Sequence, residues 1–305
     1  MYPPPERLTA ELFARLPDRL RTNGRVSRWA QTQNPGRHAD CFLEGPSFDR
    51  AGNLWMVDVA WGRILKLAPT GEFEIVTEYD GAPNGLKIHR DGRVFIADFH
   101  KGLLRLDPGS DMPVPIVDRY GAQPLHGPND LVFAENGDLY FTDQGYSGLH
   151  DPFGRVFRLR ENGMLDLVLS GIPSPNGLVV GRDEKTLFVN VTRDNAVWRV
   201  PMQPDGSVSK VGAFLRLSGG VGPDGLAMDT DGNLAVAHLG LGAVWLFSAA
   251  GEPLLRIDSP AGKLITNVAY GGEDGRTLFM TESETGSILS CRMPVAGRPM
   301  FSHSA

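Results

Sequence analysis

Cysteine is scarce in this 305-residue sequence. Only Cys41 and Cys291 occur, and neither belongs to a C-x-x-C pair. A disulfide framework needs several paired cysteines, and a thiolate zinc site needs closely spaced ones. The sequence therefore indicates neither kind of site.

Basic patches and long apolar runs are also missing. The net charge is −6, and the Lys and Arg residues are scattered rather than gathered into a stripe that could follow a phosphate backbone. The N-terminal residues form no apolar leader, and no run approaches the roughly 18 apolar residues that cross a bilayer. We therefore expect a soluble, cytoplasmic protein that binds neither nucleic acid nor membrane.

Three common catalytic signatures are absent as well: the G-x-S-x-G nucleophile elbow, the H-E-x-x-H zinc motif and the P-loop. What the chain does have is a hydrophobic content of 41%, enough to bury a core in one large domain or two ordinary ones. Its fold has to be inferred from internal patterning.

A short motif recurs along the chain. SPNGL at 174–178 has near-copies in APNGL at 82–86, GPNDL at 127–131 and GPDGL at 222–226, and EGP at 44–46 and TNVAY at 266–270 extend the series. We call the polar residue of each unit its slot residue, and successive slots lie 40 to 48 residues apart. The six slot residues are Glu44, Asn84, Asn129, Asn176, Asp224 and Asn267.

Each unit continues in the same way after its slot. An apolar run is followed by a Gly turn such as Asp91-Gly92 or Asn136-Gly137, and then by two further β-type runs such as DLYFTD and RVFRL. Asp-Gly and Asn-Gly between apolar runs are strong hairpin signals. Short strands repeated at this period are typical of propeller blades. We therefore predict an all-β fold, a six-bladed β-propeller with four-stranded antiparallel blades over residues 41–305.

Residues 1–40 lie outside the repeat and form a short N-terminal extension. Leu8, Leu12, Phe13 and Leu16 recur at helical spacing, which predicts one helix between Glu6 and Arg21. We expect this extension to pack on the outside of the ring or to complete its closing blade.

In a propeller, the first residues of the inner strands converge at one mouth of the central channel. The loop that joins strands two and three of each blade lies at the same end, because each antiparallel strand reverses direction. The third unit carries extra residues in this loop, within Gly145 to Gly154, which indicates a loop that shapes or covers a pocket. The candidate substrate contacts that follow strand two are Trp61, Asp98, His100, Asp143, Tyr146 and His238.

The slot residues offer only oxygen donors, namely carboxylates from Glu44 and Asp224 and amides from the asparagines. Ca²⁺ accepts mixed carboxylate and amide ligands, whereas zinc prefers nitrogen and sulfur. The pattern therefore favours a calcium-type site. The alternative is that Pro-Asn-Gly serves only turn chemistry, with Asn in the left-handed region and Gly at positive φ.

FLEGPSFD, GPNDLVF, SPNGLVV and GPDGLAMD resemble the blade starts of the regucalcin and gluconolactonase family, six-bladed propellers related to diisopropyl fluorophosphatase. The resemblance covers about 41–292. It implies one divalent metal ion at the channel mouth, commonly Ca²⁺ and in some members Zn²⁺ or another transition ion such as Mn²⁺, held by the counterparts of Glu44, Asn176 and Asp224. It also implies that Asn129 lies at the metal or touches the substrate, and that Asp224 is the carboxylate closest to the chemistry.

The resemblance further implies a small-molecule substrate, a lactone, whose ring is opened by hydrolysis. Sugar-lactone members of the family carry Arg two residues before the third-unit Asn, where this chain has Gly127. This departure weakens the expectation of a polyhydroxylated aldonolactone. The neighbouring His126 is a candidate to take over part of that Arg's role in substrate binding.

Our hypothesis is metal-assisted hydrolysis of a lactone. The metal polarises the carbonyl, Asp224 is the general base for the attacking water, and Asn129 and Asn176 orient the substrate. Direct attack by Asp224 on the carbonyl is the alternative role for that carboxylate. Two other functions stay open from the sequence. One is a phosphotriesterase- or arylesterase-like hydrolase with the same metal, and the other is a metal- or ligand-binding propeller without turnover.

Overall fold

A computed structural model describes residues 2–22, 25–33 and 39–304 of the chain. Their main strands form six antiparallel sheets, and the first strand of each sheet contacts the first strand of the next, around the ring and back to the start. The fold prediction is therefore confirmed: the molecule is a six-bladed β-propeller whose inner strands surround a central channel.

The N-terminal extension begins with two strands. They are β1, Glu6–Thr9, and β2, Glu11–Arg15. A 3₁₀ turn over Asp18–Leu20 and a short helix, α1, over Arg28–Gln33 follow. The extension does contain a helix, but the prediction of a helix between Glu6 and Arg21 is wrong.

The first three blades follow in chain order. Blade one contains β3 Leu43–Phe48, β4 Leu54–Asp58, β5 Arg63–Leu67 and β6 Phe73–Glu78, with a 3₁₀ turn at Val59–Trp61. Blade two contains β7 Pro83–Ile88, β8 Val94–Asp98, β9 Gly102–Leu106 and β10 Val114–Val117, and a two-stranded ribbon, β11 Arg119–Tyr120 and β12 Gln123–Pro124, comes after it. Blade three contains β13 Pro128–Phe133, β14 Leu139–Asp143, β15 Gly154–Leu159 and β16 Leu165–Ile172.

The remaining blades complete the ring. Blade four contains β17 Pro175–Val180, β18 Thr186–Val191, β19 Ala196–Pro201 and β20 Gly212–Arg216, with a 3₁₀ turn at Thr192–Asp194. Blade five contains β21 Gly222–Met228, β22 Leu234–Leu239, β23 Ala243–Phe247 and β24 Pro253–Asp258. Blade six contains β25 Ile265–Gly271, β26 Thr277–Glu282 and β27 Ser287–Arg292, and a 3₁₀ turn at Phe301–His303 follows.

The N-terminal strands finish the last two blades. β2 pairs antiparallel with β27 and is the fourth, outer strand of blade six, while β1 pairs parallel with β24 at the edge of blade five. Without these partners, both outer edges would expose unpaired backbone N–H and C=O groups. A helix with these leucines on one face would bury them together, yet Leu16 is buried and Leu12 is 53% exposed. Pairing with the sheet edges therefore outweighs the helical spacing of the leucines.

The apolar core lies mainly between neighbouring blades. Val156 and Ile172 of blade three, for example, pack with Val189 and Val200 of blade four. Burial of such β-branched side chains supplies the main drive for blade association. No helix within the described residues is long and apolar enough to cross a membrane.

The C-terminal segment covers the channel end that lies opposite the slots. Arg298 pairs there with Glu135 and Glu184, and the Phe301 ring stacks on Phe133 with 4.8 Å between centroids. A largely apolar cavity of about 370 Å³ lies between this segment and the inner strands. We infer that the slot residues are approached from the other end of the channel, which we call the mouth.

Candidate active site

The slot residues lie within the inner strands rather than in turns. Asn84, Asn129 and Asn176 are the second residues of β7, β13 and β17. Extended backbone at these positions differs from the left-handed conformation that turn chemistry places at Asn. The interpretation of Pro-Asn-Gly as a simple turn is therefore wrong.

The glycine after the slot serves close approach between blades. A Cβ on Gly177 would lie 2.6 Å from the backbone oxygen of Asp224, and a Cβ on Gly225 would lie 2.0 Å from the side chain of Asn267. Such distances are far below van der Waals contact. These glycines therefore allow slot residues of neighbouring blades to crowd around the channel axis.

Polar side chains of one blade fix the inner strand of the next. Thr142 Oγ1 donates to the backbone oxygen of Asn176 at 2.9 Å, and Asn190 Nδ2 donates to that of Asp224 at 2.6 Å. Both Thr142 and Asn190 are fully buried. The backbone positions of two candidate metal ligands are thus set by the end of the preceding blade's second strand.

Asn267 joins two carboxylates at the channel mouth. Its Nδ2 donates to Glu44 Oε2 at 2.9 Å and to Asp130 Oδ2 at 3.0 Å, while its own Oδ1 accepts from the N–H of Val268 at 2.8 Å. Glu44 also accepts a hydrogen bond from the N–H of Gly45. Residues of blades six, one and three therefore meet in one hydrogen-bonded group.

Asp224 of blade five belongs to the same group. The Asn176 side chain hydrogen-bonds its carboxylate, and the charges of Asp130 and Arg193 both act on it. Glu44, Asp130, Asn176 and Asp224 are each 3% to 6% exposed. The structure therefore brings the predicted metal ligands Glu44, Asn176 and Asp224 together in a nearly water-free setting.

Burial raises the pKa of Glu44 well above its usual range, and the carboxylates of Asp224 and Asp130 raise that pKa further. Burial and then the charge of Asp130 likewise raise the pKa of Asp224, against the hydrogen bond from Asn176. Both shifts express the same physical fact. The carboxylates lie close together in a buried setting, with too little positive charge and hydrogen bonding to offset their repulsion.

A divalent cation fits this donor set. Asn176 Oδ1 is buried and has no hydrogen-bond partner among the described residues, although a buried amide oxygen normally has one. A hard cation would bind this oxygen together with the Glu44 and Asp224 carboxylates. Within the described part of the chain, no three His, Cys, Asp or Glu side chains form a metal cluster by themselves, so a metal here depends on amide oxygens.

Asn129 is held from the side of the third-blade insertion. Its Nδ2 donates to Gln144 Oε1 at 3.0 Å, and Gln144 Nε2 donates onward to Ser174 Oγ at 2.8 Å. Asn129 is 6% exposed. Its amide is therefore oriented by the residue just before the insertion, at the same mouth as the metal candidates.

Asp98 and Asp143, two of the predicted substrate contacts, act on the backbone instead. Both are fully buried. Asp98 accepts from the N–H of Ala82 at 2.9 Å and from the Tyr79 hydroxyl at 2.9 Å. Asp143 accepts from the N–H of Gly127 at 2.8 Å and pairs with Arg155. Each carboxylate ties the end of strand two to the residue just before the inner strand, so the structure does not bring either one to the pocket.

His238 is also fully buried. Its Nδ1 accepts from Trp245 Nε1 at 3.2 Å, which leaves Nε2 to donate to the backbone oxygen of Gly219 at 2.9 Å. Burial lowers the pKa of His238. The neutral ring thus serves as a link inside blade five, and the structure does not place it against a substrate.

The other predicted contacts lie at the mouth. His100, His126 and Tyr146 are exposed, and Tyr146 retains 54% of its surface in water. Trp61 is half-buried and donates from Nε1 to the backbone oxygen of Ala39 at 3.1 Å. Of the predicted contacts, the exposed His100, His126 and Tyr146 remain available to a ligand.

Asp130 is a site residue that the sequence reasoning missed. It hydrogen-bonds Asn267, acts electrostatically on both Glu44 and Asp224, and lies 3.8 Å from the ammonium of Lys87. A signal was present in the sequence, because four other units have Gly directly after the slot where the third unit has Asp. A charged residue that replaces a close-approach glycine indicates a specific local role.

Comparison with known proteins shows which family this chain is similar to. The model of the SMP-30/gluconolactonase/LRE-like region matches residues 42–284. The chain is 33% identical over 265 residues to lactonase drp35 of Staphylococcus aureus strain MW2, covering 82% of this chain and 78% of the relative. It is 31% identical over 278 residues to gluconolactonase of Zymomonas mobilis, covering 79% and 76%.

A solved structure shares the fold at lower sequence identity. It is the calcium-binding protein regucalcin of Agrobacterium tumefaciens, with a TM-score of 0.75 and 23% identity, and the alignment covers 87% of this chain and 94% of that one. The family resemblance that the blade starts suggested is confirmed by the region matched. The chain belongs to the SMP-30/gluconolactonase/LRE-like family.

Proposed function

We propose that this chain is a lactonase, a hydrolase that opens the ring of a cyclic ester with the help of one divalent metal ion. Relatives named lactonase and gluconolactonase support the reaction class. The observation that carries the metal site is the meeting of Asp224 with Asn176, whose buried Oδ1 has no hydrogen-bond partner in the described parts of the chain.

Glu44, Asn176 and Asp224 are the residues that would hold the metal, with Asn129 beside them at the mouth. All four offer hard oxygen donors, which favours Ca²⁺ over Zn²⁺. The solved regucalcin, whose name describes it as calcium-binding, supports the same choice. When bound, the ion supplies a Lewis acid that polarises the lactone carbonyl. Zn²⁺ and Mn²⁺ are the ions to compare with Ca²⁺.

Asp224 acts as the general base in this proposal. Its carboxylate takes a proton from water while the water oxygen bonds to the carbonyl carbon. The ring C–O bond then breaks, the ring oxygen takes a proton, and the product is a hydroxy acid. The hydrogen bond from Asn176 orients the carboxylate. The hydrogen bond from Asn190 to the backbone oxygen of Asp224 fixes the backbone from which this side chain extends.

Direct attack by Asp224 would leave a different isotope pattern. In water enriched in ¹⁸O, a general base puts the label into the hydroxy acid during the first turnover. A nucleophilic Asp224 would form an anhydride with the substrate acyl group, and water that opens this anhydride at the Asp224 carbonyl carbon leaves one Asp224 oxygen in the first product and the ¹⁸O in Asp224. A single-turnover reaction read by mass spectrometry therefore distinguishes the two roles.

The same donors would suit a phosphotriester or an aryl ester as substrate. The relatives named lactonase favour the lactone over these electrophiles. A propeller that binds metal or ligand without turnover is the remaining alternative, and it is distinguished by assay.

The test uses metal-stripped protein and a panel of lactones, an aryl ester and a phosphotriester, followed as acid or phenol release. We expect lactone hydrolysis that returns with added Ca²⁺ and is lowered by at least about a hundredfold in Asp224→Asn, the usual size for loss of a general base. Wild-type turnover in Asp224→Asn would overturn its assigned role. Metal binding without turnover of any substrate would favour the binding propeller.

A further inference from the structure

A glycine next to the metal candidates makes room for an aromatic ring. Gly127, two residues before Asn129, has φ +145°, a conformation that side-chain-bearing residues rarely adopt. A Cβ at this position would lie only 2.7 to 2.9 Å from three carbon atoms of the Phe99 ring. Phe99 therefore occupies the space in which a side chain at position 127 would begin, and this part of the mouth is apolar.

The Phe99 ring leads to exposed rings at the surface. Its centroid lies 5.2 Å from that of Tyr146 in an edge contact and 5.7 Å from that of His100. Phe99 itself is 8% exposed, whereas Tyr146 is 54% exposed. A buried ring thus supports exposed ones at the mouth.

The third-blade insertion adds a second group of rings. His126 and Phe153 are in edge contact at 5.1 Å. Gly145, with φ +54°, passes so close to Phe153 that a Cβ would lie 2.8 Å from the ring. Leu149 at the tip of the insertion is 68% exposed. We call Phe99, His100, His126, Tyr146, Leu149 and Phe153 the aromatic rim.

The rim borders the candidate active site. A Cβ on Gly148 would lie 3.0 Å from the His150 ring and 4.0 Å from Arg193 Cγ. The charge of Arg193 acts in turn on the Asp224 carboxylate. On its other side, the insertion is preceded by Gln144, which holds Asn129. The loop therefore reaches from one site residue to the surroundings of another.

The insertion is fixed at its base by hydrogen bonds. Ser147 Oγ donates to the backbone oxygen of Gln144 at 2.6 Å and accepts from the N–H of Ser174 at 3.0 Å. Ser147 is buried, yet its neighbour Tyr146 is exposed. Large exposed apolar side chains on an anchored loop beside a polar site are typical of ligand contact.

We propose that the aromatic rim binds an apolar substituent of the substrate, so that this enzyme prefers lactones carrying an alkyl or aryl group over polyhydroxylated lactones. The proposal rests on the lactonase function proposed above. Contact between these rings or the Leu149 side chain and an apolar substituent is favourable, because it removes apolar surface from water. Phe99, Leu149 and Phe153 offer no partner to a hydroxyl group, so the hydroxyl groups of a polyhydroxylated lactone would lose hydrogen bonds to water beside them.

The test compares three six-membered lactones that differ in their substituents: δ-decalactone with an alkyl chain, unsubstituted δ-valerolactone and glucono-δ-lactone. The variants are Tyr146→Ala and Leu149→Ala, with Tyr146→Phe to keep the ring. Met164→Ala is the matched control, because Met164 is 55% exposed in the turn between β15 and β16, at the other end of the same blade.

We expect the wild-type kcat/KM to be highest for δ-decalactone. Tyr146→Ala should lower it about fivefold to tenfold for that substrate, the size of one lost aromatic contact, mainly through KM. The δ-valerolactone value should change less than twofold, and Tyr146→Phe and Met164→Ala should resemble wild type. Preference for glucono-δ-lactone, or equal effects of Tyr146→Ala on all substrates, would overturn the rim assignment alone. Absence of turnover with every lactone would instead overturn the lactonase function, and the rim proposal with it.

Discussion

The side-chain nitrogen of Asn267 lies 2.9 Å from Oε2 of Glu44, and the same nitrogen lies 3.0 Å from Oδ2 of Asp130. One amide of blade six thus holds a carboxylate of blade one and a carboxylate of blade three. Glu44 is a proposed metal ligand. Asn267 donates a hydrogen bond to its carboxylate, and the charge of Asp130 acts on it. Such supporting groups set the position of a ligand before the metal arrives.

Replacing Asn267 by Leu should weaken metal binding. The change removes both hydrogen bonds and leaves two buried carboxylates without this donor. We expect a loss of about tenfold to a hundredfold in Ca²⁺ affinity, measured by calorimetric titration. Asn84→Leu is the matched control, since Asn84 is the slot residue of blade two and is half-buried. Equal Ca²⁺ affinity in wild type and Asn267→Leu would contradict the supporting role.

Ca²⁺ should raise the melting temperature of the wild-type protein through the Asn176 oxygen. At a hundredfold excess over Kd, binding stabilises a folded state by about 2.7 kcal/mol. We expect a rise of roughly 4 to 5 °C for a domain of this size, and only a small rise in Asn176→Leu, which lacks the buried oxygen. Thermal melts followed by circular dichroism, with and without Ca²⁺, measure both. A full shift in Asn176→Leu would place the ion elsewhere.

Asp98→Ala should reduce stability rather than catalysis. Asp98 is fully buried and accepts hydrogen bonds from the N–H groups of Ala82, His100 and Lys101 as well as from the Tyr79 hydroxyl. Leaving such donors unsatisfied costs about 1 to 3 kcal/mol of unfolding free energy. Urea unfolding measures the loss, and kcat of the folded fraction should stay near wild type. The exposed Asp205→Ala serves as control. A large fall in kcat at unchanged stability would instead make Asp98 a pocket residue.

His238 should make the protein less stable as the pH falls below neutrality. Burial lowers its pKa in the folded state, while in the unfolded chain a histidine titrates near about 6.5. Above that pH both states are neutral and the contribution of the neutral ring is complete. As the pH falls toward the lowered folded value, only the unfolded state takes up the proton, so stability declines.

The variant His238→Gln isolates this contribution. Unfolding free energies are measured at pH 8 and pH 5.5 in wild type and variant, and the wild type should lose about 1 kcal/mol more between the two values. His150→Gln, on the surface, is the control. The same loss in wild type and His238→Gln would show that the ring titrates freely in the folded protein.

The repeat made much of this fold predictable from sequence. The runs predicted as second and third strands, such as DLYFTD and RVFRL, fall on β14 and β15. Their alternating apolar residues and Gly turns are local signals, and so is the insertion between them. The extension was mispredicted because its strand character comes from β24 and β27, which are distant in sequence and supply the pairing edges.

The candidate site was predictable in part. The repeat placed all six slot residues at the channel, and the family resemblance then singled out Glu44, Asn176 and Asp224 among them as the metal ligands. By sequence pattern, the position after strand two is equally suited to substrate, but the Asp98 and Asp143 carboxylates accept hydrogen bonds from neighbouring N–H groups. Which buried polar group faces the backbone and which faces the channel depends on side-chain direction, and a one-dimensional pattern does not contain it.

We propose above that Glu44, Asn176 and Asp224 hold one cation on which lactone hydrolysis depends. The most direct measurement titrates Ca²⁺ into metal-stripped protein and follows heat of binding and initial rate of lactone hydrolysis at the same Ca²⁺ concentrations. We predict one ion per chain, with hydrolysis rising from near zero and reaching half its maximum at the concentration that half-fills the site. Full hydrolysis by metal-stripped protein in the presence of a chelator would contradict the account.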